Sequence, residues 1–214
     1  MLKLYGFTAL LCLLVSCSFF ETKEEVEETG GAEEPMEQKG DSYRISLEST
    51  VNWYGSQPLS GKGHNGSFEI EQGRVYIDGD SITGGFFVMH MGSMKMNDSE
   101  TSERNKLMEH LFAVDFFDTL NYAESRFDIT SIEKLENDPE ENTHLISGNL
   151  KMKDTTNNVT FPAKINLQPS LLTATANFNI DRTRWGIHYN SKESLGDKFI
   201  SPEVEIALDI IGAK

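Results

Sequence analysis

The chain is poor in cysteine and in positive charge. Its 214 residues include two cysteines, which can form at most one disulfide. Lysine and arginine together number 19 against 34 aspartates and glutamates, giving a formal net charge of -15. Nucleic acids are bound mainly through lysine and arginine clustered against the phosphates. The charge balance therefore argues against a nucleic-acid partner, and against an anionic membrane held through a basic surface.

After the first twenty residues, no apolar run is long enough to cross a bilayer. The chain starts with Lys3 and an apolar stretch over residues 10–15, a pattern typical of a secretory signal and too short to span. Leu14-Val15-Ser16-Cys17 resembles the lipobox of bacterial lipoproteins, in which a diacylglyceryl thioether forms on the cysteine before cleavage. The sequence thus predicts a signal peptide over 1–16 and lipid attachment at Cys17. The alternative is an ordinary signal anchor in which Cys17, like Cys12, is a small buried side chain.

The segment that follows is strongly acidic. Residues 21–41 contain nine carboxylates against two lysines and almost nothing apolar. Such a composition buries too little surface to fold, and it predicts a disordered tether over 17–41. The remaining residues, 42–214, have the length of one ordinary domain.

Alternation of apolar and polar residues dominates this domain and predicts half-buried strands. Tight turns are expected at Glu71-Gln72-Gly73 and at Lys153-Asp154-Thr155-Thr156. A single helix is expected over 103–112, with possible caps at 97–99. Eight or nine strands and one short helix favour a sandwich or a closed barrel. The runs that alternate begin at Tyr43, Phe68, Val75, Phe87, Phe127, Ile146, Val159, Ala174 and Val204.

Several small residues share strand parity with large apolar ones, so that an inward face would alternate large and small side chains. This pattern predicts an internal cavity instead of a solid core. The small residues are Gly66, Gly148, Ala163, Ala174 and Ala176.

Motifs for catalysis or metal binding are absent from the sequence. The five histidines have no metal-ligand spacing, and no nucleophile motif or phosphate loop occurs. Met89-His90-Met91, followed by Met94 and Met96, could suit Cu(I), but alternation sends His90 to the opposite face from its two neighbours. We therefore predict no enzyme, no cofactor and no metal site, with metal handling as the weakest alternative.

The tryptophans, a pair of phenylalanines and one arginine are further residues that could line the cavity or close its ends. Trp185 is expected to be structural, whereas Trp53 and the pair Phe116-Phe117 could line a cavity. Strand parity places Arg182 at the inner rim of its strand. Its guanidinium could bind an anionic ligand head group, or Trp185 and a carboxylate such as Asp118 could hold it for structural reasons.

The order of the motifs along the chain resembles the YceI-like family over residues 43–211. The resemblance rests on His64-Asn65-Gly66-Ser67-Phe68, Phe86 to Met94, His110-Leu111 with Asp115-Phe116-Phe117-Asp118, Phe127-Asp128-Ile129-Thr130, Gly148 to Met152, Val159-Thr160-Phe161-Pro162, and Asn179 to Ile187. The sequence departs from the usual pattern of the family in three places. Lys106 to Glu109 stand where the family has an Arg-Asp pair before the histidine, and Lys153-Asp154-Thr155 stand where it has a glycine-threonine turn. Tyr122-Ala123 lack the usual proline.

The resemblance implies an all-β fold, a lipocalin-like antiparallel eight-stranded β-barrel with one short helix, exported to the bacterial envelope. It also implies non-enzymatic binding or carriage of a polyisoprenoid or fatty-acid-like amphiphile. Together with the lipobox, it implies a lipid-anchored protein on the periplasmic face or the outer surface of the envelope. A homodimer is possible. The alternative function is a protein-interaction module whose barrel is filled by its own side chains. The ligand-binding candidates are His64, Gly66, Phe68, Phe87, Met89, Phe127, Gly148, Phe161, Phe178 and Arg182.

Overall fold

The structure is a computed structural model that describes residues 30–97 and 101–214. Its strands are β1 Asp41–Ile45, β2 Thr50–Gln57, β3 Lys62–Asp78, β4 Ser81–His90, β5 Lys95–Met96, β6 Glu124–Lys134, β7 His144–Met152, β8 Thr155–Leu167, β9 Leu171–Asp181 and β10 Glu203–Ala213. The α-helix is α1 Thr101–Phe112, and short 3-10 turns occur at Met91–Ser93, Arg182–Trp185 and Glu193–Lys198.

Eight of these strands form a closed antiparallel barrel in the order β2-β3-β4-β6-β7-β8-β9-β10. The barrel closes because β10 pairs with β9 on one edge and with β2 on the other. Ile206, for example, lies between Phe178 and Trp53. The predicted eight-stranded barrel with one helix is therefore confirmed. None of the helices in the described ranges is long and apolar enough to cross a membrane.

The predicted turn at Glu71-Gln72-Gly73 is wrong, because β3 runs through it as one strand of 17 residues. The β3–β4 register shifts by one residue between Ile70 and Gln72, which is a β-bulge. The first half of β3 pairs with β2 and the second half with β1. The bulge bends the long strand, and the predicted turn residues mark this bend. The turn predicted at Lys153-Asp154 is confirmed, since β7 ends at Met152 and β8 starts at Thr155.

The β8–β9 seam is only partly hydrogen-bonded. Residues 164–167 of β8 pair with residues 172–175 of β9, and the ladder continues no further. Pro162 lies where pairing stops. The carbonyl of Ala163 accepts a hydrogen bond from Thr143 on the β7 side, so alternation turns Pro162, which lacks an N–H, toward β9. Beyond it the stacked rings of Phe161 and Phe178, with centroids 4.0 Å apart, bridge the two strands.

Residues 30–40 lie along the outer surface of the barrel, and we call them the N-terminal strap. Its backbone bonds to Asn158 on β8, to the side chain of Asn149 on β7, and to Ile129 on β6. It then exchanges hydrogen bonds with Thr83 on β4. The predicted tether of 17–41 is therefore wrong for residues 30–41, whose backbone is hydrogen-bonded and not freely solvated. The rest of the predicted tether, the signal peptide and Cys17 lie outside the described residues.

The connections between strands define two ends of the barrel. We call one the lid end; it contains 58–61, 91–97, 101–123 with α1, 153–154 and 182–202. The far end contains 46–49, 79–80, 135–143, 168–170 and Lys214. Inward apolar residues of the barrel strands and of α1 form the core, in two clusters that share Phe117, Ile165, Ile206 and Leu208 at their boundary.

Candidate functional site

The inside of the barrel holds a cavity of about 290 Å³. Its wall is almost entirely apolar and includes side chains from all eight barrel strands. Leu107, His110 and Leu111 of α1 cover it at the lid end, together with Phe116 and Phe117. The cavity is the outcome that the alternation of large and small residues predicts, and it is at the low end of the volumes typical of small-molecule sites.

Eight of the ten predicted site residues line this cavity: His64, Phe68, Phe87, Met89, Phe127, Phe161, Phe178 and Arg182. Gly66 and Gly148 are missing from the wall. A Cβ on Gly148 would lie 2.1 Å from Cζ of Phe127, and a Cβ on Gly66 would lie 1.8 Å from the carbonyl oxygen of Lys95. These two glycines therefore make room for the protein's own atoms. Ala163, Ala174 and Ala176 do face the cavity, as predicted.

A row of phenylalanine rings crosses the middle of the cavity wall. Phe87 and Phe127 have centroids 6.3 Å apart, Phe127 and Phe161 are 5.8 Å apart, and Phe161 stacks on Phe178 with an interplanar angle of 5°. The four residues belong to β4, β6, β8 and β9. Because each ring packs against the next, the wall at this level is rigid and offers only carbon surface to an occupant.

A second aromatic group closes the lid end. Phe116 and Phe117 have ring centroids 5.0 Å apart, and Phe117 meets the edge of Phe68 at 6.0 Å. Both line the cavity, which decides the position that the sequence left open. Trp53 lines it as well, whereas Trp185 is fully buried outside the wall and donates from Nε1 to the carbonyl of Leu150 at 2.9 Å. Trp185 is thus structural, as predicted.

The polar side chains that line the cavity are almost all at the lid end. Gln57 ends β2, His64 lies near the start of β3, Ser125 lies near the start of β6, and His110 belongs to α1. Arg182 follows β9 at the same end, and Thr175, which is exposed, is the exception. The cavity therefore has a polar side toward the lid end and an apolar interior toward the far end.

Arg182 is 3 % exposed, and its guanidinium binds backbone carbonyls only. Nε donates to Ser201, one terminal nitrogen donates to Ile187 at 2.6 Å, and the other donates to Tyr189 and Ile200 at 3.0 Å. Burial lowers the pKa of Arg182, against a smaller opposing effect of Asp181.

The protein partners predicted for Arg182, Trp185 and Asp118, are wrong. The ring beside the guanidinium is that of Phe116, 5.7 Å away, and not Trp185. Asp118 instead binds the side-chain amide of Asn121. The sequence could not show these partners, because carbonyl acceptors belong to every residue.

The methionine motif follows strand alternation, as predicted. Met89 and Met91 line the cavity, whereas His90 between them is exposed. In the described ranges, no group of three or more His, Cys, Asp or Glu side chains could hold a metal ion. The predicted ligand-binding residues did not include Val204, Ile206 and Leu208 of β10, which line the cavity. Their period-2 alternation was the available signal.

Solved structures share this fold at low sequence identity. BcnA of Burkholderia cenocepacia matches with a TM-score of 0.62 and 18% identity, covering 78% of this chain and 98% of its own. A domain of Saccharophagus degradans, described as polyisoprenoid-binding and implicated in plant cell wall breakdown, matches with a TM-score of 0.56 and 9% identity, covering 82% and 99%. The YCEI protein of Campylobacter jejuni matches with a TM-score of 0.52 and 15% identity, covering 69% and 84%.

No curated protein sequence matches the chain. The model of the YceI-like domain family does match it, over residues 43–211. This range starts within β1 and ends within β10, so it includes every strand of the barrel and the whole cavity. The chain therefore belongs to the YceI-like family.

Proposed function

We propose that the protein binds and carries one long-chain amphiphile, polyisoprenoid or fatty-acid-like, without chemical conversion. The observation that supports this most directly is the apolar cavity of about 290 Å³ inside the barrel. A barrel filled by its own side chains, the competing interpretation, would not have such a space. The related domain of Saccharophagus degradans, described as polyisoprenoid-binding, agrees with the same ligand class.

The cavity volume sets the length of chain that it can hold. A methylene group occupies a volume close to that of a water molecule, about 30 Å³, so the cavity accommodates roughly ten carbons. Burying each contributes about 0.8 kcal/mol, or about 8 kcal/mol in all before the cost of association. A longer chain would have to extend beyond the cavity or widen it.

The distribution of polar groups sets the direction of the ligand. Gln57, His64, His110 and Ser125 line the cavity at the lid end, and the wall toward the far end is apolar. A buried polar group without a hydrogen bond is costly, so a head group is most stable beside these side chains. The proposed ligand therefore lies with its tail toward the far end and its head under α1.

The test is to purify the full chain from its own envelope and to analyse it by native mass spectrometry, followed by organic extraction. We expect one bound amphiphile per chain, and uptake of a dansyl-labelled undecanoic acid by the delipidated protein with a blue-shifted emission. A protein that carries no lipid and takes up no probe would contradict the proposal.

We further propose that the protein is a lipoprotein of the bacterial envelope, anchored through Cys17. The lipobox-like Leu14-Val15-Ser16-Cys17 supports this. Cys17→Ala is expected to abolish labelling by radioactive palmitate and partitioning into the detergent phase, because the thioether requires that sulfur. Cys12→Ala is the matched control and should leave both unchanged. Label remaining on Cys17→Ala would contradict the anchor.

A further inference from the structure

Several large apolar side chains are exposed at the lid end. Of the eight such residues in the described part of the chain, five lie in lid-end connections, whereas Leu47 and Leu171 are at the far end and Tyr54 is within β2. The five are Leu59, Val114, Leu120, Tyr189 and Leu195. Leu120 is 96 % exposed and Val114 is 73 % exposed. Single exposed apolar residues are ordinary, but two side chains as exposed as Val114 and Leu120, only six residues apart, point to an interaction.

The turns that present these side chains are well ordered by hydrogen bonds. Val114 lies in a turn where the amides of Phe116 and Asp118 both bond to the carbonyl of Ala113, at 3.0 and 2.9 Å. Leu120 lies in the next turn, where the carbonyl of Asp118 accepts from Asn121 and Tyr122. The structure therefore holds both side chains away from the core instead of letting them fold back over it.

The same end of the barrel carries much less negative charge. Among the described residues, the lid-end connections contain eight basic and seven acidic residues, whereas the far-end connections contain one basic and six acidic residues in about a third of the length. A surface that approaches lipid head groups, many of them anionic, is repelled least at the lid end. The chain as a whole, with its excess of acid, would then point its far end into the solvent.

The chain leaves the described structure on the same side. Gly30 and Gly31 lie beside Asn157 and Asn158, close to the lid-end start of β8. Twelve residues lie between Cys17 and Gly30, and the thirteen steps from one Cα to the next span at most about 45 Å in an extended chain. The segment that leads to the lipid on Cys17 therefore leaves the barrel on the lid-end side, and its length lets that end reach the bilayer.

From these four observations we propose that the lid end docks on a lipid bilayer, with Val114 and Leu120 inserting among the head groups. Docking places the polar end of the cavity, where the proposed ligand has its head group, against the source of that ligand. The role that we give to docking, delivery of the ligand at the membrane, rests on the proposed function and on the proposed anchor at Cys17. The docking itself can be measured without any bound ligand.

The experiment places one environment-sensitive NBD label on each of two exposed leucines. Leu120→Cys reports on the lid end, and Leu47→Cys, 79 % exposed at the far end, is the matched control. The full processed chain is reconstituted in vesicles of phosphatidylethanolamine and phosphatidylglycerol at 3:1, with and without spin-labelled lipid, and the unsubstituted chain is the blank. We expect a blue shift and at least twofold quenching by spin-labelled lipid at position 120, and neither at position 47.

Equal signals at the two positions, whether both are quenched or neither is, would overturn the proposal. A blue shift at position 120 that spin-labelled lipid does not quench would also overturn it, because this would indicate contact between copies of the protein. A second variant, Val114→Ser with Leu120→Ser, should slow the transfer of the dansyl fatty acid from vesicles at least fivefold without changing its affinity at equilibrium. If no probe binds at all, the proposed function fails while the NBD result still decides on docking.

Discussion

At the scale of single residues, Arg182 shows how a buried charge stabilises a loop. Its four hydrogen bonds end on the carbonyls of Ile187, Tyr189, Ile200 and Ser201, two at each side of the connection between β9 and β10. One planar group thus joins the two sides of a long loop through backbone carbonyls, because the guanidinium of arginine presents several donors in a fixed geometry.

Arg182→Met is expected to lower the free energy of unfolding by about 3–5 kcal/mol, because it leaves buried carbonyls without donors. Binding of neutral and anionic probes should weaken alike. The control is Arg126→Met, whose partly exposed pair with Asp128 should contribute less than about 1 kcal/mol. Urea unfolding measures both. Normal stability with selective loss of anionic probes would instead assign Arg182 to the ligand head group.

His144 is a second residue whose environment affects stability, here through its dependence on pH. Burial lowers its pKa below the usual 6.5, and the charge of Lys134 adds to the effect. The unfolded chain then binds more protons than the folded one, so stability is complete above pH 6.5 and decreases as pH falls through the lower folded pKa. His144→Gln should flatten the dependence of the urea midpoint on pH below 6.5. An unchanged slope would contradict the assignment.

At the scale of elements, the N-terminal strap is attached to the barrel through one side chain. The amide of Asn149 accepts from the N–H of Glu33 at 2.9 Å and donates to its carbonyl at 2.7 Å, as a neighbouring strand would. The same oxygen accepts from Asn158 at 3.1 Å. Asn149 is 7 % exposed, so the strap shields a polar cluster that would otherwise face water.

Asn149→Ala is therefore expected to cost about 1–2 kcal/mol of stability, since Asn158 loses a partner in a buried place. Hydrogen exchange should become faster at the amides of Glu33 and Met36, and slow exchange at β7 should persist. Asn166→Ala, at an exposed position on β8, is the control and should change neither. Unchanged exchange at Glu33 would show that this amide does not hold the strap.

The strap and the bulge are elements that the sequence alone did not predict. Period-2 alternation predicted the barrel strands because burial of alternate side chains depends on residue type alone. The strap has no such signal, since its hydrogen bonds to the barrel run through its backbone groups and its residues show no alternation of apolar and polar types. A one-residue bulge at Glu71 and a tight turn have the same local composition, and only pairing with distant strands separates them.

At the scale of the whole molecule, the cavity is space that the fold leaves unfilled. Sequence parity predicted that small inward residues would create it, and the alanines do so. The two glycines do not, because whether a missing side chain leaves a void depends on neighbours far away in sequence. Phe127 fills the place above Gly148 from the next strand. Eight of the ten predicted residues line the cavity because they alternate along strands, and the two exceptions are these glycines.

This difference gives a paired test of the cavity. Ala176→Leu adds three carbons to the cavity wall, about a third of the available volume, and should weaken binding of the dansyl undecanoic acid about 10- to 50-fold. Stability of the ligand-free protein should stay the same or rise, because filling a void adds contacts. Gly148→Leu must instead displace Phe127 and should lower stability by several kcal/mol. Asn177→Leu, outward on the same strand as Ala176, should leave probe binding unchanged. Fluorescence titration and thermal unfolding separate these outcomes. If Ala176→Leu destabilised the fold as much as Gly148→Leu, the space beside Ala176 would not be free for a ligand.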